Sequence, residues 1–210
     1  MFNIVGRRKI FYGLSLVFIA AGIFSVVFWG LNFGIDFKGG SLIEVVWSGQ
    51  RPEIKPVKDK LIELNIGEIL VQPIGEKGML LRLKDIDEAT HQNILINLKG
   101  FGEIEEKRFE SIGPVIGEEM KQRAYSAVAM VLLLIILYIA FAFRKVSRPV
   151  ASWKYGVAAI IALFHDVLIP TGIFAILGHY FGVEIDLLFV TGLLTILGFS
   201  VHDTIVIFDR

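Results

Sequence analysis

The stretch AYSAVAMVLLLIILYIAFAF, residues 124–143, contains no charged side chain. A bilayer hydrocarbon core of about 30 Å takes roughly 20 apolar residues in a helix, so this run predicts a membrane span. Toward the N-terminus, Phe11 to Trp29 is a second charge-free run. Toward the C-terminus, Tyr155 to Leu177 and Ile185 to Phe208 repeat the pattern, each with one acid at depth, Asp166 and Asp203. Four spans are therefore expected, at 11–31, 124–143, 155–177 and 185–208. The 54% hydrophobic content of the 210 residues exceeds that of an ordinary soluble domain. By this reading the chain is a membrane α-helical bundle with one polar segment, 32–123, set among its spans.

Charge in the short connections sets the sidedness. Arg7, Arg8 and Lys9 precede the first span, and Arg144, Lys145, Arg148 and Lys154 fill the link 144–154. The link 178–184 is followed directly by the fourth span, and the only charges there are Glu184 and Asp186. Positive charge in short loops marks the cytoplasmic side. The N-terminal 1–10, the 144–154 link and the end at 209–210 are expected inside, with 32–123 and 178–184 outside. The first span is longer than a signal-peptide core and runs into no small-x-small cleavage site, so it is expected to remain as an anchor. With no cysteine in the chain, no disulfide or thiolate metal site is available.

The segment from Gly40 to Ile112 alternates between two periods. Ile43, Val45 and Trp47 share one face of a strand, whereas Val57, Leu61 and Leu64 share one face of a helix after Pro52. Ile69 and Val71 mark a second strand. The turn Gly75-Glu76-Lys77-Gly78 leads to a third at Met79, Leu81 and Leu83. Ile94, Leu95, Leu98 and Phe101 give a second helical stripe, and Ile104 to Phe109 a charged fourth strand suited to an edge. The order β-α-β-β-α-β is that of an α+β ferredoxin-like domain, extracytoplasmic by the sidedness above. With 13 basic and 16 acidic residues between Asn32 and Arg123, no single-sign field marks a nucleic-acid site.

Gly34, Gly39 and Gly40 flank residues in a way that invites a phosphate-loop reading. The Lys-Ser/Thr that completes such a loop is missing, since Ser41-Leu42 follows. The alternative is a tight turn where the chain leaves the membrane and enters the first strand.

The acids in the spans carry the chemistry. Leu163-Phe164-His165-Asp166-Val167 is followed by Pro170, and Gly198-Phe199-Ser200-Val201-His202-Asp203-Thr204 lies in the last span. An acid at mid-membrane costs about 2.5–3.5 kcal/mol on insertion scales and normally faces protein, water or a proton route. His165 and Asp166 are candidates for proton coupling and, equally, for a polar cluster that only holds helices together through interhelical bonds of about 1 kcal/mol each. Asp203 favours a functional role. His202 lies about 100° around the helix from it, so adjacency does not make them partners. Ala21 with Ser25, Ala158 with Ala162, and Gly192 and Gly198 supply small residues for close helix approach.

Four passages resemble the SecF family of the bacterial protein-export machinery. They are Gly34-Ile35-Asp36-Phe37-Lys38-Gly39-Gly40 after the first span; Glu110-Ser111-Ile112-Gly113-Pro114 before the second; the His165-Asp166 pair; and Asp203-Thr204-Ile205-Val206-Ile207-Phe208-Asp209-Arg210. The resemblance covers essentially the whole chain. It implies a multi-pass bacterial inner-membrane protein of the resistance-nodulation-division superfamily, with partners SecD, the SecYEG channel, a translocating unfolded polypeptide and membrane lipid. It implies use of the proton-motive force in late export, with Asp203 at the family's proton-linked acid, and neither cofactor nor metal. Two departures stand out. The family's pattern usually has asparagine at the position of His202, read here as a neutral variation. The family has six spans and the chain ends at Arg210 after the fourth, so it is expected to be a fragment without the fifth span's arginine or a complete proton route.

Three other functions compete. A small-molecule exporter of the same superfamily would carry two much larger outer domains. A purely structural docking subunit would not need Asp203. An intramembrane hydrolase using His165, Asp166 and Ser200 lacks both the Gly-x-Ser-x-Gly setting and a His-Glu-x-x-His motif, so no enzyme is expected.

Overall fold

A computed structural model describes residues 5–144 and 152–208. Most of the expected 144–154 link, the first four residues and the 209–210 end lie outside the described residues. Contacts divide the chain into two units, one of residues 34–122 and one of residues up to 33 together with those from 123 onward.

The first of these is a sheet domain. Its elements are a single helical turn α2 (Ile35–Lys38), β1 (Gly40–Trp47), α3 (Ile54–Ile62), β2 (Leu70–Ile74), β3 (Gly78–Leu83), α4 (Glu88–Lys99) and β4 (Ile104–Ile112). The sheet order is β2-β3-β1-β4 with every neighbour antiparallel, which is compatible with the ferredoxin-like arrangement. Ile43, Val45 and Trp47 do face the core, against Met79, Leu81 and Leu83 of β3 and against Val57, Leu61, Ile94 and Leu98 of the two helices. The period-2 and period-3.6 stripes read from the sequence are thus the same surface seen from opposite sides. Both edges are blunted. β4 carries Glu105, Glu106, Lys107, Arg108 and Glu110, with a bulge opposite Glu44/Val45. β2 carries Pro73, which an edge strand tolerates.

Local chemistry sets the helix ends. α3 has Pro56 in its first turn, where no intrahelical N–H is required, and stops before Asn65, whose φ of 54° is left-handed. Asp87 caps α4 by accepting a hydrogen bond from the Thr90 amide at 2.9 Å. The Thr90 hydrogen bonds hold the Asp87 carboxyl below its ordinary range. The cap's contribution is therefore present above the unfolded-state pKa and lost as pH falls through the lower folded value. Asp87→Ala is expected to lower the thermal midpoint at neutral pH, with the difference from wild type shrinking in acid. His91, on the same face as Ile94 and Leu95, is buried. It stacks flat on Phe109 at 3.7 Å and places Nε2 2.9 Å from Glu106 Oε1.

The membrane unit holds α1 (Arg8–Trp29), α6 (Ser152–Phe181) and α7 (Leu187–Phe208), and receives the C-terminal part of α5 (Pro114–Ala142). All four are long and apolar enough to cross a bilayer. α5 begins ten residues before the charge-free run, because Pro114 at its first position fixes a helical φ and the charged turns that follow are good helix formers. Hydropathy locates the hydrocarbon depth, not the helix end.

α1 and α6 meet backbone to backbone at Gly22 and Gly172, where a Cβ on Gly172 would fall 2.3 Å from the Gly22 Cα. Ser25, one turn on, is buried and donates to the Ala21 carbonyl at 2.6 Å. Past the helix ends, the Ile185 amide donates to the Asn32 carbonyl at 2.7 Å, and Phe33 pairs with Ile185 as an isolated parallel bridge. Trp29 stacks on His179 at 4.7 Å. The end of α5 packs Ile139 and Phe143 against Ala159 of α6, with Ile135 and Ile205 alongside. Of the small residues read as packing positions, Ser25 is buried, whereas Ala158 is exposed and Gly192 and Gly198 face open space.

Candidate functional site

Within the membrane unit, α6 brings His165 and Asp166 to mid-helix, ahead of Pro170. Pro170 has no amide hydrogen, so the Asp166 carbonyl four residues earlier has no intrahelical donor there. One residue on, the Thr171 hydroxyl donates to the Val167 carbonyl at 2.7 Å. His165 Nδ1 lies 2.9 Å from Asp166 Oδ1, and Ser200 Oγ of α7 donates to Asp166 Oδ2. Both carboxylate oxygens are thereby engaged, one within the helix and one across to its neighbour. This trio ties α6 to α7.

The order within the trio is serine, acid, histidine. A nucleophilic serine needs the histidine as its immediate base, with the acid behind it. Here the acid separates them, and Ser200 donates to the carboxylate.

Asp203 is placed differently. It sits one turn beyond Ser200, with 82% of its side chain exposed, beside His202 at 3.8 Å and 76%. The structure brings His165, Asp166 and Ser200 together and leaves Asp203 and His202 on the open side of α7. Asp186, which the sequence offered only as a loop charge, caps α7 through the Phe189 amide at 2.8 Å. Among the described residues no group of three metal-ligating side chains converges.

The glycine passage forms a second feature, inside the sheet domain. Gly34 precedes α2, whose Phe37 is buried and whose Asp36 lies in the first turn. Gly39 follows with φ 74° and ψ 170°, a region essentially reserved for glycine. A Cβ there would lie 2.6 Å from the Pro114 Cα, and one on Gly117 would lie 2.6 Å from the Gly39 nitrogen. Gly40, at φ 127°, would press on the Leu83 carbonyl at 2.7 Å. Pro114 and the Ile112 carbonyl thus face Gly39 directly. The tight turn expected of these glycines is present, and its reason is close backbone contact with the start of α5. Sequence reasoning passed over Gly117, which lies three residues past the passage that ends at Pro114.

These features match one family. A family model described as the C-terminal region of the protein export membrane proteins SecD/SecF covers residues 92–210, and one described as the SecD/SecF GG motif covers residues 24–46. The protein translocase subunit SecF of Thermobaculum terrenum is 46% identical over all of this chain and 69% of its own length. The chain belongs to the SecF family. The SecF of Anaerolinea thermophila is 39% identical over all of the chain and 68% of its own. The crystal structure of SecDF from Thermus, a translocon-associated membrane protein, superposes with a TM-score of 0.77 at 30% identity. That match covers 100% of this chain and 27% of the SecDF chain. The chain therefore spans about two thirds of its curated SecF relatives and about a quarter of the SecDF chain. In this frame Gly39 and Gly40 belong to the GG-motif match, while His165, Asp166, Ser200 and Asp203 all fall in the C-terminal one.

Proposed function

We propose that this chain works as the SecF part of a Sec translocase accessory unit, paired with SecD beside SecYEG in the bacterial inner membrane. It uses the proton-motive force to promote late export of an unfolded polypeptide. In this reading the N-terminus is cytoplasmic and the sheet domain lies outside. Asp203 carries the proton-linked step, while His165 and Asp166 support it by holding α6 to α7. His202 is a neutral neighbour.

The observation that supports this most is Asp203 itself, an acid with 82% of its side chain exposed on a helix of membrane length. A carboxylate at the centre of a span costs about 2.5–3.5 kcal/mol against an apolar residue, and acids within spans normally mark proton or ion routes. A proton crossing the potential gains about 2.3 kcal/mol per 100 mV, enough to bias a two-state movement severalfold. The Ser200–Asp166 bond favours a structural task for Asp166, because both of its oxygens already have partners.

The test compares wild type with Asp203→Asn in the full-length protein co-expressed with SecD, since asparagine keeps shape and polarity but cannot titrate. The rate of proton-motive-force-dependent export is expected to fall at least about tenfold, with membrane levels of both subunits unchanged. Unchanged export from an assembled complex would make this a docking subunit instead. Proton-driven extrusion of small molecules, with no effect on export, would favour the exporter reading.

A further inference from the structure

The base of the sheet domain holds a hydrogen-bond chain whose direction can be deduced. The Ile86 amide donates to Ser41 Oγ at 3.1 Å. Ser41 Oγ and Ser111 Oγ are 2.8 Å apart, and Ser111 Oγ donates to Asp85 Oδ1 at 2.7 Å. Each hydroxyl has one hydrogen, and an ionised carboxylate only accepts. Ser111 directs its hydrogen to Asp85, so Ser41 directs its own to Ser111 and receives the Ile86 amide. The chain therefore runs one way, from Ile86 through Ser41 and Ser111, and ends on Asp85.

Three elements meet in it. Ser41 is fully buried in β1, beside the glycine pair; Ser111 is its register partner in β4, just before Gly113-Pro114; Asp85 and Ile86 lie between β3 and α4. Ser41 falls in the GG-motif match and Ser111 in the C-terminal match, whereas Asp85 falls in neither. The same corner contains the contacts of Gly39 with Pro114 and Gly117. A hinge requires backbone free to turn. Here the backbone is pressed on two sides and tied by the serine chain.

We propose that Asp85 is a positioning residue that orients this chain and thereby locks the glycine passage and the first turns of α5 into one rigid seat. Bending during the export cycle then falls outside this corner. The inference rests on the proton-driven export reading for its purpose, although the lock itself can be measured without export.

The first measurement is hydrogen exchange of the Ile86 amide in the full chain in lipid nanodiscs. Asp85→Ala is expected to speed exchange at Ile86 about tenfold, and Asp85→Asn, which keeps an acceptor oxygen, to restore most of the protection. Unchanged Ile86 protection in Asp85→Ala overturns the proposal. So does failure of Asp85→Asn to recover any of it.

The second measurement uses the absence of cysteine. Ser41→Cys/Ser111→Cys pairs two opposed positions within reach of a disulfide, in the full-length protein with SecD. Oxidation is expected to leave proton-driven export within about twofold of the reduced form. A tenfold block on oxidation, reversed by reductant, would show that the corner must open and would sink the rigid seat. Asp203→Asn run alongside separates the two readings. Its having no effect removes the proton step, while the Ile86 exchange result still decides the lock.

Discussion

Gly39→Ala is expected to destabilise the sheet domain by about 4 kcal/mol, from backbone strain of about 1–3 kcal/mol plus the cost of displacing backbone. The methyl would lie 2.6 Å from the Pro114 Cα and 2.8 Å from its nitrogen, neither of which is the flexible end of a side chain. Either α5 lifts from the corner or β1 shifts in register with β4. Small domains have about 5–15 kcal/mol in total, so the loss would be visible as early unfolding and as fast exchange of β1 and β4 amides. Gly75→Ala is the matched control. Its φ is 56°, also left-handed, but nothing lies within 4 Å of an added Cβ. It is expected to cost about 1 kcal/mol, the backbone part alone. Equal effects at the two positions would show that close contact at Gly39 contributes nothing.

The second large effect belongs to the membrane unit. Gly172→Val is expected to cost about 3 kcal/mol or more, since overpacking a contact that cannot relax forces the helices apart. The added Cβ would lie 2.3 Å from the Gly22 Cα and 3.2 Å from its carbonyl carbon, and α1 would have to move. Movement there would also strain the Trp29–His179 stack near the helix ends and the Asn32–Ile185 bond beyond them. A readout is cross-linking between cysteines placed in α1 and α6 of nanodisc-held protein, expected to fall sharply. Gly192→Val, at a position with open space around it, is expected to change stability by less than about 0.5 kcal/mol. Retained α1–α6 cross-linking in Gly172→Val would refute the crossing point.

The sequence alone carries whatever a single segment encodes by itself. Desolvation acts residue by residue along a helix, so four apolar runs announced four helices. Side-chain alternation is a local property of strands, so Ile43, Val45 and Trp47 announced their face. The acids at 166 and 203 stood out because an apolar setting makes any charge conspicuous.

The sequence favoured Asp203 for function but could not say which acid has partners, because their environments depend on α6 and α7 meeting. Ser200, considered as a nucleophile, proved to be the donor that satisfies Asp166, and Asp203 was left on the open face. Small-residue spacing likewise failed to find Gly22 and Gly172, since the spacing constrains one helix and the contact needs two. The glycine passage was recognisable as a motif, yet its partners Pro114 and Gly117 lie more than seventy residues away along the chain. Apolar run length thus determined the spans, and local periodicity the order of elements and the buried face of the sheet. Only tertiary structure decided which glycines touch, which acid is satisfied and which is exposed, because those outcomes depend on distances between segments that no local pattern encodes.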